Sequence, residues 1–245
     1  KWDKRDEVFG KADVIPMWIA DMDFPTPPFI IEALRKRLDH EILGYSYRPD
    51  SYFESFIRWT SDVYGWEIRR EWIEFSPGVV PALNMCTLAF TSPGDEIIIQ
   101  PPVYPPFFGA VNDHGRKLVF NPLVETEAGW VMDPDGLRRA ITPRSRMLIL
   151  SNPHNPVGRA WTHGELYELA EICHEKGIII LSDEIHSDLT MPGVKHVPLA
   201  SVSEKAASVT VTCMAPSKTF NLAGFTTSSM IISDPVLMEK FRRTL

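Results

Sequence analysis

Gly177-Ile178-Ile179-Ile180-Leu181-Ser182-Asp183-Glu184-Ile185-His186 decides the fold. A short, continuous apolar run reads as a strand, and the chain turns polar where that strand ends. Just upstream, Thr162 and Glu165 stand as a capping box, which predicts a helix over 163–176 closed by Gly177. Helix, glycine stop, apolar strand and polar loop make the repeating unit of an α/β protein. A strand without polar alternation belongs in a parallel sheet covered on both faces.

The same alternation extends outward in both directions. Met147-Leu148-Ile149-Leu150 is a strand leading into Ser151-Asn152-Pro153-His154-Asn155-Pro156-Val157-Gly158. Glu96-Ile97-Ile98-Ile99-Gln100 is another, followed by a proline-rich run around Tyr104 and a helix to about Asp113. Lys117–Asn121 is a strand, and Asp133 caps a helix over 134–141. Ile73-Glu74-Phe75 runs into Ser76-Pro77-Gly78-Val79-Val80-Pro81, where helix 81–90 begins. Downstream, a strand-like run over 208–212 leads to Ala215-Pro216-Ser217-Lys218-Thr219-Phe220-Asn221, and 229–232 is a further strand. Residues 28–39 and 51–64 carry apolar residues at helical spacing, the second stopped by Gly65. Residues 1–25 read as irregular, with the patch Ile15–Ala20 packing on the core as a strand and turn. The prediction is an α/β fold with a mostly parallel sheet and helices on both faces, divided into an N-terminal segment (1–26) and one large domain (27–245). In such sheets the working groups collect at the carboxyl ends of the strands.

Composition narrows the function. Hydrophobic residues at 44% and charged residues at 23% describe a soluble globular chain of one large core or two small ones. A net charge of -7 without a basic block excludes a nucleic-acid groove. No apolar run is long enough for a membrane span, and no signal-peptide pattern opens the sequence. Cys86, Cys173 and Cys213 lack CxxC spacing, so they read as buried thiols in a reducing cytoplasm; the histidines lack metal-ligand spacing, so no metal is expected. The sequence starts without Met and stops inside an amphipathic helix begun near Pro235, so further chain is expected beyond Leu245.

Several polar residues fall at strand ends. Lys218 can condense with an aldehyde cofactor if its amine is desolvated. Asp183 follows an apolar strand, and a buried carboxylate needs a cationic partner such as a protonated pyridine nitrogen. Asn155 can donate to a ring oxygen, His186 can reach the same oxygen, and Tyr104 can lie on a ring face. The turn at Gly78 aims the Val79 and Val80 N–H groups outward as an anion site. Pyridoxal 5'-phosphate needs such a set. Taken singly, each residue has a plainer reading: a solvated loop lysine, an N-cap aspartate, turn chemistry for Asn-Pro, a packed loop aromatic, a structural histidine, a simple turn.

Together, Asn155-Pro156-Val157-Gly158, Asp183-Glu184-Ile185-His186 and Ser217-Lys218 resemble the fold-type I pyridoxal-phosphate enzymes of the class I/II aminotransferase superfamily, over nearly all of the chain. Trp18-Ile19-Ala20-Asp21-Met22-Asp23-Phe24, Gly44-Tyr45 and Lys218-Thr219-Phe220-Asn221-Leu222-Ala223-Gly224 look more narrowly like the cystathionine β-lyase-like C–S lyases of the MalY/PatB type. General aminotransferases usually carry Tyr at the position of His186, Arg at that of Thr226 and often Ser at that of Ala215. The resemblance implies that Lys218 holds the cofactor, that Ser217 with Val79 and Val80 carries much of the phosphate, and that Tyr45 reaches the site of a homodimer partner. It also implies a carboxylate-binding arginine in a C-terminal small domain, which has no match before Leu245.

Three functions follow as expectations. The first is a pyridoxal-phosphate-dependent β-lyase that cleaves cystathionine- or cysteine-type amino acids to thiol, pyruvate and ammonia. The second is an aminotransferase on the same scaffold. The third is a cofactor-binding interaction or regulatory protein.

Overall fold

The structure, a computed structural model, describes residues 1–244. Its strands are β1 (Ile73–Ser76), β2 (Glu96–Ile99), β3 (Lys117–Phe120), β4 (Val124–Thr126), β5 (Gly129–Val131), β6 (Ser145–Ser151), β7 (Ile179–Asp183), β8 (Thr210–Met214) and β9 (Ser228–Ile232). Seven of them form one sheet in the order β1-β9-β8-β7-β6-β2-β3, and β4 pairs with β5 as a separate antiparallel hairpin. From β8 to β3 every pairing is parallel, whereas β9 runs antiparallel to both neighbours. The mostly parallel α/β sheet is as expected. The reversal at β9 has a local cause: residues 215–227 supply no crossover helix, and a parallel return requires one.

Among the described residues, ten α-helices accompany the strands: α1 (Arg5–Phe9), α2 (Pro28–Leu38), α3 (Asp50–Tyr64), α4 (Val79–Phe90), α5 (Pro106–Asn112), α6 (Pro134–Ala140), α7 (His163–Lys176), α8 (Glu204–Val209), α9 (Pro216–Thr219) and α10 (Pro235–Arg242). Alternate residues of each central strand serve opposite faces. Ile97, Ile99, Met147 and Ile149 pack with α4, α5 and α10, while Ile98, Leu148, Leu150 and Ile180 pack with α6, α7 and α8. Each such side chain contributes about 1.5–3 kcal/mol by burial. A third cluster joins Tyr52, Phe53, Phe56 and Ile57 of α3 to Trp66, Ile73, Met214 and Ile231 at the β1–β9 end.

Local chemistry sets the helix ends. The Thr162–Glu165 capping box forms in full, and Gly177 closes α7 in the left-handed conformation. The Asp133 side chain accepts from the Gly136 N–H at the start of α6. α4 begins two residues before the predicted start, because Pro81 is tolerated in a first turn whose N–H groups lack helical partners anyway.

Three expectations need correction. Residues 15–20 form no strand; Pro16 is buried, but Ile15 and Met17 are exposed, and the stretch is bonded to the large domain through the Ala20 carbonyl and Lys218. Residues 5–9, read as irregular, form α1. Ser208 and Val209 belong to α8, not to a strand, because Ser203 caps that helix by accepting from the Ala206 N–H; β8 starts at Thr210.

Candidate active site

The carboxyl ends of the parallel strands open on a cavity of about 790 Å³. Val79, Val80, Tyr104, Asn155, Asp183, His186, Ser217 and Lys218 all line it, as do Ala215 and Thr226. Tyr45 does not; its side chain is fully exposed outside this cavity. Among the described residues, no cluster of His, Cys, Asp or Glu is gathered as metal ligands would be. The three cysteines are buried and free.

Asp183 is the last residue of β7, paired with Ser151 of β6 and Cys213 of β8. Its Oδ1 accepts from the Ile185 N–H at 3.1 Å. Burial pushes its carboxyl up to about 7; the Ile185 bond and the Lys218 charge act against this, and neighbouring Glu184 adds to it. A cationic N–H arriving from the cavity would restore the carboxylate, because an opposite charge favours the ionised form.

The other lining groups are fixed from behind. Asn155 donates its backbone N–H to the Ser151 hydroxyl at 3.1 Å, while its side-chain amide forms no hydrogen bond among the described residues. The Tyr104 ring stands edge-on to the buried Phe107, 6.2 Å between centroids. Its phenol is pushed up by burial and by Asp183. Burial, and then Lys218, hold the His186 imidazole below its usual range, so it is neutral at neutral pH. Gly78 precedes α4 at φ 134°, a left-handed value that favours glycine. Ser76 Oγ donates to the Gly78 carbonyl at 2.9 Å, and Ser228 Oγ donates to the Ser76 carbonyl at 3.0 Å. This shaped turn leaves the first N–H groups of α4 at the cavity wall.

Lys218 sits on α9, a single helical turn between this cavity and a smaller one of about 290 Å³ beside α3. Thr219 Oγ1 ties the turn to Asp188 at 2.5 Å, and Asp188 also accepts from the Tyr64 hydroxyl and from Trp59 Nε1. Lys218 Nζ donates to the Ala20 carbonyl at 3.3 Å.

Sequence reasoning did not foresee the wall formed by Met17, Trp18, Ile19 and Ala20, or its fastening to Asn221. Both lie within stretches that stood out as motifs, but nothing local shows that residues 18–24 meet residues 218–224. In combination the lining offers an amine, a buried carboxylate, a free amide, an aromatic face and an anion site. A flat heteroaromatic aldehyde carrying an anion fits that set.

Fold and cavity thus define an α/β protein with a mostly parallel sheet and a site at its strand ends. Residues 12–244 match the family described as aminotransferase class I and II, and the chain belongs to that family. It is 47% identical over 246 residues to cystathionine beta-lyase PatB of Bacillus subtilis strain 168, covering all of this chain and 64% of that protein. It is 30% identical over 236 residues to protein MalY of Escherichia coli strain K12, covering 96% of this chain and 60% of the relative. Among solved structures, cystalysin from Treponema denticola, which contains pyridoxal 5'-phosphate, superposes with a TM-score of 0.96 at 38% identity, over 100% of this chain and 63% of that one. The chain therefore spans less than two thirds of the length of these relatives.

Proposed function

We propose that the protein is a pyridoxal 5'-phosphate-dependent carbon–sulfur β-lyase acting on cystathionine- or cysteine-type amino acids. The observation that carries this reading is the meeting of Lys218 with buried Asp183 in one cavity. The likeness to a cystathionine β-lyase supports the sulfur chemistry.

The cofactor, when bound, supplies an aldehyde for attachment and a protonated ring that accepts the electron pair left by a departing Cα proton. Asp183 would accept the ring N–H and hold that proton, since its own burial demands such a partner. Asn155, and with it His186, would donate to the ring oxygen, and Tyr104 would cover a ring face. The Val79 and Val80 N–H groups and the Ser217 hydroxyl would hold the phosphate. Lys218 would hold the aldehyde, and its amine, when free, would take the Cα proton. The pair from the Cα–H bond would then form a Cα=Cβ bond as the thiolate leaves with the Cβ–S pair, and water would convert the remaining fragment to pyruvate and ammonia.

Residues 27–245 make up the cofactor-binding domain in this reading, and residues 1–26 close one side of it. A homodimer is also proposed, with exposed Tyr45 reaching the partner's phosphate. The buried free thiols suit a cytoplasmic setting.

The test adds pyridoxal 5'-phosphate and cystathionine to the protein and assays pyruvate, ammonia and thiol together. Equal release of all three is expected, with none from Lys218→Ala; turnover by that variant would refute the assignment. The family match favours transamination as the second reading. Supplying an amino donor and a 2-oxo acid separates the two, because transamination yields a new amino acid and no net ammonia.

A further inference from the structure

We propose that Asn221 is a positioning residue: it pins residues 22–26 of the N-terminal segment so that the Ala20 carbonyl aims the Lys218 amine into the cavity. The inference rests on the reading of Lys218 as the amine that takes the cofactor.

Asn221 uses its side chain fully. Its Oδ1 accepts from the Met22 N–H at 3.1 Å, and its Nδ2 donates to the carbonyls of Met22 at 3.1 Å and Phe24 at 2.9 Å. Its own carbonyl accepts from Thr26 Oγ1 at 3.2 Å. This clasp holds Asn221 at φ 55°, a left-handed conformation that a non-glycine residue adopts at a cost. Such strain persists only where surrounding bonds over-determine it.

The segment has little else to hold it. Met17 is 87% exposed and Phe24 76%, so burial contributes little. The Lys1 ammonium and the Trp2 indole also bond residues 21 and 23, but both belong to the same segment. Among the described residues, the hydrogen bonds that join residues 20–26 to the large domain run to Asn221 and Lys218. Lys218 in turn rides on one helical turn with a cavity on either side. Thr219 ties that turn to Asp188, and the amine itself bonds the Ala20 carbonyl. Asn221 is what keeps Ala20 there.

The test measures reductive amination of the cofactor-free protein by pyridoxal 5'-phosphate with cyanoborohydride, read by mass spectrometry at Lys218. The amine replaces the aldehyde oxygen, which leaves as water, and the hydride reduces the new C=N bond to a stable secondary amine. Rates are taken across cofactor concentrations. Asn221→Gly keeps the left-handed backbone and removes the clasp. Its limiting rate is expected to fall about fivefold, the loss of an oriented amine, with the half-saturating concentration within about twofold of wild type. Asn221→Asp, which keeps the acceptor and loses both donors, is expected to fall in the same direction. An unchanged limiting rate in both variants, or a change confined to half-saturation, overturns the inference and leaves the reading of Lys218 intact. Absence of Lys218 labelling in the wild type overturns both.

Discussion

Asp183 and Ala20 face one cavity from regions built in different ways. Asp183 ends a strand held between two others, in a sheet whose central Ile and Leu residues are fully buried. Ala20 lies in a segment with mostly exposed apolar side chains, tied to the domain by side-chain hydrogen bonds. Burial over many residues resists local opening, whereas a few hydrogen bonds of about 1 kcal/mol each do not. The sheet side of the site is therefore rigid before anything binds. The N-terminal side is the more weakly held of the two.

The largest effect that can break this contrast is a core truncation. Trp161 is 1% exposed and donates its indole N–H to the Ser151 carbonyl at 3.0 Å. Trp161→Ala is expected to cost about 3–5 kcal/mol in urea unfolding. A cost below about 1 kcal/mol would mean that the sheet side is no firmer than the other.

Asp183→Asn sharpens the contrast by pH. The folded carboxyl sits at about 7, above the usual carboxylate range, so the folded state binds the extra proton between pH 4 and 7. Stability from this group is therefore intact below pH 4 and is lost as pH rises towards 7. In the cofactor-free protein, Asp183→Asn is expected to be more stable than wild type at pH 8, by on the order of 3 kcal/mol, and similar to it near pH 4. Comparing the two proteins at each pH cancels the opposite slope from His154 and His186, which burial holds low. Added pyridoxal phosphate should stabilise wild type at pH 8 much more than the variant.

Smaller effects follow. Thr162→Ala removes the capping box of α7 and should cost about 1 kcal/mol by the same unfolding measurement. Phe24→Ala, in the exposed segment, should change stability by no more than about 0.5 kcal/mol. A cost for Phe24→Ala above that for Thr162→Ala would show that burial holds the segment after all.

Legibility in the sequence follows the range of the interactions. The Thr162–Glu165 box, the glycine stops at 65 and 177 and the apolar strands are local, and they form as read. Tyr104, Asn155, Asp183 and Lys218 could be placed near one another because a parallel sheet gathers its strand ends. Asn221 could not be joined to Met22, because their contact spans nearly the whole chain and involves no periodic pattern. The β4–β5 hairpin was invisible for another reason: three-residue strands, with Val124–Thr126 exposed, carry too little apolar alternation.

Strand order also bears on how the protein is made. β1 lies at the sheet edge, and its one neighbour there is β9, whose residues come more than 150 positions later. A ribosome must therefore release the chain through β9 before residues 73–76 can dock, and such distant pairings are slow to close. The bond from Ser228 that steadies the turn before α4 arrives in the same late event. The central strands can pair earlier, so Asp183 can be placed before the turn ahead of α4 is completed.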